Sequence, residues 1–268
     1  MEKDAENDKK CTLDTLLEDK SNVTYAGNED LFLSIKGNIL NSISSDTVEW
    51  RRSYSRPVKS VRLKVSFVPF SADNLFSCTH ENLIKQPVFH VYINECADMD
   101  AYKLSLKDDI DSWLKVLNQH NIQDWMIVLV DTYDSKKASK IIPRTTVLDK
   151  IRNDFAIKHG DRCLSVLNPT KFESRSAESW RGFISRIQHF LLVAYDRQLI
   201  NFQEIIREQR ECRNKKNWSF CKYFILQEKL AFILEMLGIY DEALVQYDEL
   251  DALFTQFILN CDVGELEN

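Results

Sequence analysis

The spacing of apolar residues changes character once along this sequence, near residue 170. That change limits the folds open to the chain more than any other feature. Before it, short apolar runs alternate with stretches of helical period. Residues 22–26 suit a short strand, and Phe32, Ile35, Ile39 and Ile43 follow at helical spacing. Trp50, Arg51, Arg52, Ser53 and Tyr54, closed by Pro57, read as a loop. Val61, Leu63, Val65 and Phe67 alternate with Arg62, Lys64 and Ser66, as in one half-buried strand near a sheet edge. Residues 71–86 form a polar loop holding His80, after which Pro87 opens a strand over residues 88–95. Ser105 and Asp108 match a capping box ahead of the apolar face Ile110, Trp113, Leu114 and Leu117. Residues 126–130 are a continuous apolar run, typical of a central strand covered on both sides. After a Lys-bearing loop, Thr146 and Asp149 cap a helix whose buried side is Val147, Leu148, Ile151 and Phe155. Cys163–Leu167 is a last strand, stopped by Asn168 and Pro169. Strand and helix in alternation predict an α/β domain: a layered, mostly parallel sheet with right-handed crossovers.

Beyond residue 170 only the helical period remains. Trp180, Ile184, Ile187, Leu191, Ala194, Gln198, Phe202 and Ile205 describe one face of a helix over residues 176–211, with Gln198 its one weak point and residues 207–216 its solvated end. A second helix carries Phe220, Phe224, Leu230, Leu234 and Leu237; a third carries Ala243, Leu244, Tyr247, Leu250, Phe254 and Phe257. Between them, Gly238, Tyr240, Ala243 and Tyr247 have the spacing of a tetratricopeptide-type hairpin. Gly permits the turn, Ala243 lets the helices approach, and the two Tyr rings are expected inside, with Glu242, Gln246 and Glu249 outside. One such hairpin cannot bury its own apolar face, so either the long helix or another polypeptide must cover it. The expected organisation is a disordered tail over 1–21, an α/β domain over 22–170, the start of an α-helical, tetratricopeptide-like solenoid over 171–260, and an unstructured end over 261–268.

Chemistry is sparse. The six glycines form neither phosphate-cradling loop motif, and a net charge of −6 argues against a dedicated nucleic-acid binder. No run approaches the roughly 20 apolar residues of a membrane span, and the first residues carry neither a secretory nor a lipidation signal, so a cytosolic location is expected. Seven cysteines without a Cys-x-x-Cys pair read as structural thiols, with Cys163 and Cys221 in apolar surroundings. His80, His90, His120, His159 and His189 show no metal spacing, so no metal or cofactor is expected. Asp131, Thr132 and Asp134, beyond the central strand, occupy the edge where an open α/β sheet binds ligands. They are the candidates for an alternative reading as a cytosolic ligand- or nucleotide-binding enzyme, against the plainer one of a loop capping strand carbonyls. Lys136, Lys137, Lys140 and Arg144 form a basic loop, either solvated or touching anionic phospholipid. Arg51, Arg52 and Tyr54 have no packing role derivable from sequence. They are either interface anchors or a loop pinned by Trp50 and Tyr54 with both Arg paired to acids. With Glu242, Gln246 and Glu249 they are the candidate partner-interface residues.

Several segments together carry a family resemblance. They are residues 49–54; 107–109 with Trp113; Asp124 and Trp125; 142–145; 149–155; 161–163; 218–221 with Tyr223 and Phe224; and 241–254. In order and without large gaps, from about residue 23 to residue 259, they resemble the amino-terminal part of the large TRAPP II-specific subunits, the trafficking protein particle complex subunit ten family. The resemblance implies a non-catalytic scaffold subunit of a vesicle-tethering complex, cytoplasmic and peripheral at the Golgi, without cofactors or catalytic residues. It implies as partners the small core subunits and the other large TRAPP II subunit, and a Rab-family GTPase reached through the assembled complex. Membrane contact is then peripheral only and nucleic acid is no partner. Members of the family continue into further helical repeats and β-sandwich domains; this sequence departs from their pattern after Asn260.

Overall fold

A computed structural model describes residues 20–45, 47–52, 57–75, 86–96, 98–131, 146–216 and 218–265. Five parallel strands form the sheet, β1 (Ser21–Gly27), β4 (Val65–Pro69), β5 (Phe89–Asn94), β6 (Trp125–Asp131) and β7 (Cys163–Leu167), in the order β4-β1-β5-β6-β7. From β1 the chain winds first toward β4, through α1 (Glu29–Ser45), and then the other way through β5, β6 and β7. Helix α1 packs on one face. On the other lie α2, formed of Met99–Ala101, a π-type segment Tyr102–Leu106 and Lys107–Gln119, and α3 (Val147–Phe155). Opposite winding directions on opposite faces are what a constant crossover hand requires. The pleat sorts the side chains. In β5 and β6, Phe89, Val91, Ile93, Met126, Val128 and Val130 point to the α1 side, while Tyr92, Trp125, Ile127 and Leu129 point to the α2 side. All are buried, which is why the apolar run at 126–130 is continuous rather than alternating.

The fold class expected from sequence is thus present, with local corrections. The alternating segment 61–67 is not one strand. Lys59–Val61 is β3, paired antiparallel with β2 (Val48–Trp50), and only from Val65 does the chain join the main sheet, at its edge. Alternation survives the break, because Val61, Leu63, Val65 and Phe67 are all buried; it determined which side chains face inward but not which strand each half would pair with. The helix after β5 does not start at a Ser105 capping box. It is capped by Asp98, whose Oδ1 accepts from the amides of Asp100 and Ala101 at 3.0 and 2.9 Å, and Ser105 lies inside the π-type segment. The Thr146–Asp149 box does form on α3: each side chain bonds the other's backbone amide. Within α3, Ile151 is buried while Val147, Leu148 and Phe155 are half-buried. Asp154 ties α3 to α2, accepting from Tyr102 Oη at 2.9 Å and Lys150 Nζ at 2.7 Å.

The long helix, α4, spans Glu173–Glu211, about 58 Å at ~1.5 Å per residue. Such a length fits because two layers share it. Its first half lies on the sheet's α1 face, where Phe190 stacks on Phe89 of β5 with centroids 6.2 Å apart. Its second half packs against α5 (Phe220–Met236), which pairs with α6 (Tyr240–Glu265). A single apolar cluster runs from Val23 and Phe32 through Leu191 and Phe202 to Leu234 and Ala243, without a gap near residue 170. Helix α6 continues to Glu265, so residues 261–265, expected as an unstructured end, are helical; no proline interrupts the acidic run before them.

Candidate interaction surfaces

Arg52, two residues past the end of β2, is clamped to the helical layer. Arg52 stacks over the Trp50 ring, 5.7 Å from its centroid. It pairs through Nη1 with Glu242 Oε2 of α6 at 2.9 Å and through Nε with Asp196 Oδ1 of α4 at 3.4 Å. Its side chain is 7% exposed. Lys59 of β3 pairs with Asp241 beside Glu242 and holds that carboxyl below the usual carboxylate range. Two acids in the first turn of α6, where a helix favours negative charge, thus receive two cations from the β2–β3 ribbon. Of the candidate interface residues, the structure therefore brings Arg52 and Glu242 onto each other. Arg51 is exposed, and Tyr54 lies outside the described residues. Asp196, Lys59 and Asp241 were not singled out by sequence reading, and nothing local to them could have done so.

The α5–α6 hairpin forms at the expected turn, with Gly238 at φ 74°. Ala243 and Leu250 are buried between the helices. The two tyrosines expected inside are outside: Tyr240 is 67% exposed as the first residue of α6, and Tyr247 is exposed, its hydroxyl donating to Glu235 Oε2 of α5 at 3.0 Å. Ile239 takes the interior position instead. Leu244, Phe254 and Phe257, expected on the packed face of α6, are exposed too, although Phe257 stacks on Phe220 at 4.2 Å. Gln246 is half-buried. Glu249 is exposed yet engaged: its Oε2 accepts from Gln227 Nε2 at 2.7 Å and from Arg210 at 3.2 Å, while Arg210 Nε donates to Tyr223 Oη at 3.0 Å. Gln227 is fully buried and went unnoticed in the sequence, where it interrupts an apolar helix as Gln198 does.

At the carboxyl edge of the sheet, Asp131 accepts from Ser165 Oγ at 2.5 Å, and its carbonyl accepts from the Asn168 amide at 3.1 Å. Asp134 and Thr132, and the basic loop of Lys136, Lys137, Lys140 and Arg144, lie outside the described residues, as does His80. A shallow depression sits where the strand order turns, lined by Gly27, Asn28, Tyr92, Asn94, Asp109 and Ser112. Asn28 caps α1 itself, its Oδ1 accepting from the Leu31 amide at 3.0 Å, and Glu29 and Asp30 fill the first turn. An anion would meet an already capped, acidic helix start. No group of three or more metal-ligating side chains gathers among the described residues. No helix among them is long and apolar enough to cross a membrane.

Residues 17–213 match the family model described as "Trafficking protein particle complex subunit 10-like, N-terminal". The chain is 46% identical over 245 residues to the Drosophila melanogaster protein named "Trafficking protein particle complex subunit 10", covering 91% of this chain and 21% of that one. It is 42% identical over 254 residues to the Homo sapiens protein of the same name, covering 94% and 20%. With the Saccharomyces cerevisiae "Trafficking protein particle complex II-specific subunit 130" it shares 19% identity over 252 residues, 91% of the chain and 22% of the relative. The chain spans about a fifth of the length of the curated relatives it matches.

Proposed function

The chain belongs to the trafficking protein particle complex subunit 10-like family, and from that premise we propose that it serves as a non-catalytic scaffold in a TRAPP II-type vesicle-tethering complex. In this reading it joins the small core subunits and the other large subunit, and supports their nucleotide exchange on a Rab-type GTPase at the Golgi. Membrane contact is peripheral, through the assembled complex. The 22–170 segment provides the sheet layer and the 171–260 segment the helical one. Arg51, Gln246 and the exposed apolar residues of α6 are candidates for partner contact.

One observation supports this best: a single helix, α4, belongs to both layers, and the Arg52 ion pairs lock the second layer onto the first. An enzyme gains from a cleft that encloses its substrate, whereas a scaffold gains from holding distant surfaces in fixed relation. The test is to mix the purified chain with the assembled small core subunits and follow co-elution by size exclusion. Co-elution is expected, and the chain alone should leave GTPase nucleotide exchange at its basal rate. Separate elution of chain and core at micromolar concentration would overturn the proposal.

A further inference from the structure

We propose that a notch between α4, α5 and α6 is a docking pocket for an acidic segment of a partner protein that inserts one large apolar side chain. The notch has a volume of about 260 Å³ and is lined by Arg210, Arg213, Trp218, Tyr223, Glu249, Ala252 and Leu253. That volume falls short of the ~300–1,000 Å³ of pockets that enclose whole small-molecule ligands. It suits one aromatic or branched side chain, the usual anchor of a protein interface. The indole N–H of Trp218 in its wall is buried without a hydrogen-bond partner among the described residues.

The floor is fixed in advance. Arg210 is tied to Tyr223 and Glu249, and Gln227 holds Glu249 from below, so little ordering is left to an incoming group. On α6 an exposed apolar side chain shares the face of two lining residues. Val245, 52% exposed, stands four residues before Glu249 and seven before Ala252, a spacing that puts all three on one helix face.

Charge selects the partner. Residues 207–216 hold five basic and two acidic side chains in a chain of net charge −6. Arg207 and Arg210 pair with Glu204 and Glu249, but the exposed Arg213 is in no ion pair among the described residues. Lys215 and Lys216 are exposed beside it. Arg213 in the rim of an apolar hole, with Lys215 and Lys216 next to it in sequence, favours carboxylates flanking an apolar anchor. An anionic membrane fits less well, because a lipid headgroup surface offers no large apolar side chain to fill the notch. The pocket is read from its own geometry and goes beyond the scaffold reading above, so either can fail without the other.

The test uses the full chain and two fluorescein-labelled peptides, Asp-Glu-Asp-Phe-Asp-Glu-Asp and the same peptide with Ala for Phe, followed by anisotropy. The Phe peptide is expected to bind at least tenfold more tightly. Arg213→Glu, on an exposed helix end, is expected to weaken it at least tenfold, and Ala252→Trp to erase the Phe-over-Ala preference by filling the notch. Melting temperatures confirm that both variants fold. Equal binding of the two peptides, binding of neither, or binding untouched by Arg213→Glu would overturn the proposal. So would Arg213-dependent capture of the chain by phosphatidylserine vesicles without any preference for the Phe peptide, which would assign the rim to a lipid surface.

Discussion

His90 stands on the α2 side of β5, with Nδ1 2.6 Å from Thr24 Oγ1 and the Phe70 ring against its edge. Burial pushes its pKa down from 6.5 to about 4. The folded chain therefore holds the ring neutral where the unfolded chain would protonate it. Its contribution to stability is intact above pH 6.5 and is lost as pH falls from there toward 4, about 3 kcal/mol at ~1.4 kcal/mol per unit. Denaturant midpoints between pH 7 and 4 should show this slope, and His90→Gln should flatten it; an unchanged slope would remove His90 as the cause. Arg52 makes the second residue-scale prediction. Its two carboxylate partners are about a quarter exposed, so Arg52→Met should cost about 1–3 kcal/mol, less than a fully buried pair. In a double-mutant cycle with Glu242→Gln, a coupling of at least ~0.5 kcal/mol is expected; additivity would mean the contact stabilises nothing.

Elements depend on a few positions where backbone geometry leaves no alternative. Gly27 ends β1 at φ 96°, and a Cβ there would lie 2.2 Å from the carbonyl oxygen of Ile93 on the neighbouring strand. Gly27→Ala must displace backbone at the junction of the two central strands, and a loss of about 2–4 kcal/mol by chemical denaturation is expected. A loss below about 0.5 kcal/mol would show that β1 and β5 separate freely there. Ala243 is the corresponding point of the hairpin, buried where α6 crosses α5. Ala243→Leu should cost about 1–3 kcal/mol through overpacking, and a melting temperature equal to that of the parent chain would contradict the close approach of these helices.

For the molecule as a whole, the change of periodicity near residue 170 separates two kinds of secondary structure but not two cores. Helix α4 buries Phe183, Ile187, Phe190 and Leu191 in the same cluster as Phe89, Val91, Met126 and Val128 of the sheet. A chain cut after residue 170 would lose these side chains and bare the sheet residues they cover. It is expected to bind a hydrophobic dye strongly and to melt without cooperativity, while the full chain unfolds in one transition by calorimetry. A truncated chain melting as sharply as the parent would mean the sheet needs no cover from α4.

Taken by itself, the sequence determined what is local. Residues 126–130 announce a strand buried on both faces because no polar side chain interrupts them, Thr146 and Asp149 form their box because its partners are three residues apart, and Gly238 turns the hairpin because it has no Cβ. Tertiary structure alone decided what each buried face meets. The Arg52–Glu242 pair spans 190 positions, Val61 pairs with Val48 rather than with β1, and Tyr240 and Tyr247 lie outside because Ile239, Ala243 and Leu250 already fill the space against α5. Periodicity records which side chains must leave water. Which partner receives them depends on packing between segments far apart in the chain, and no local pattern carries that information.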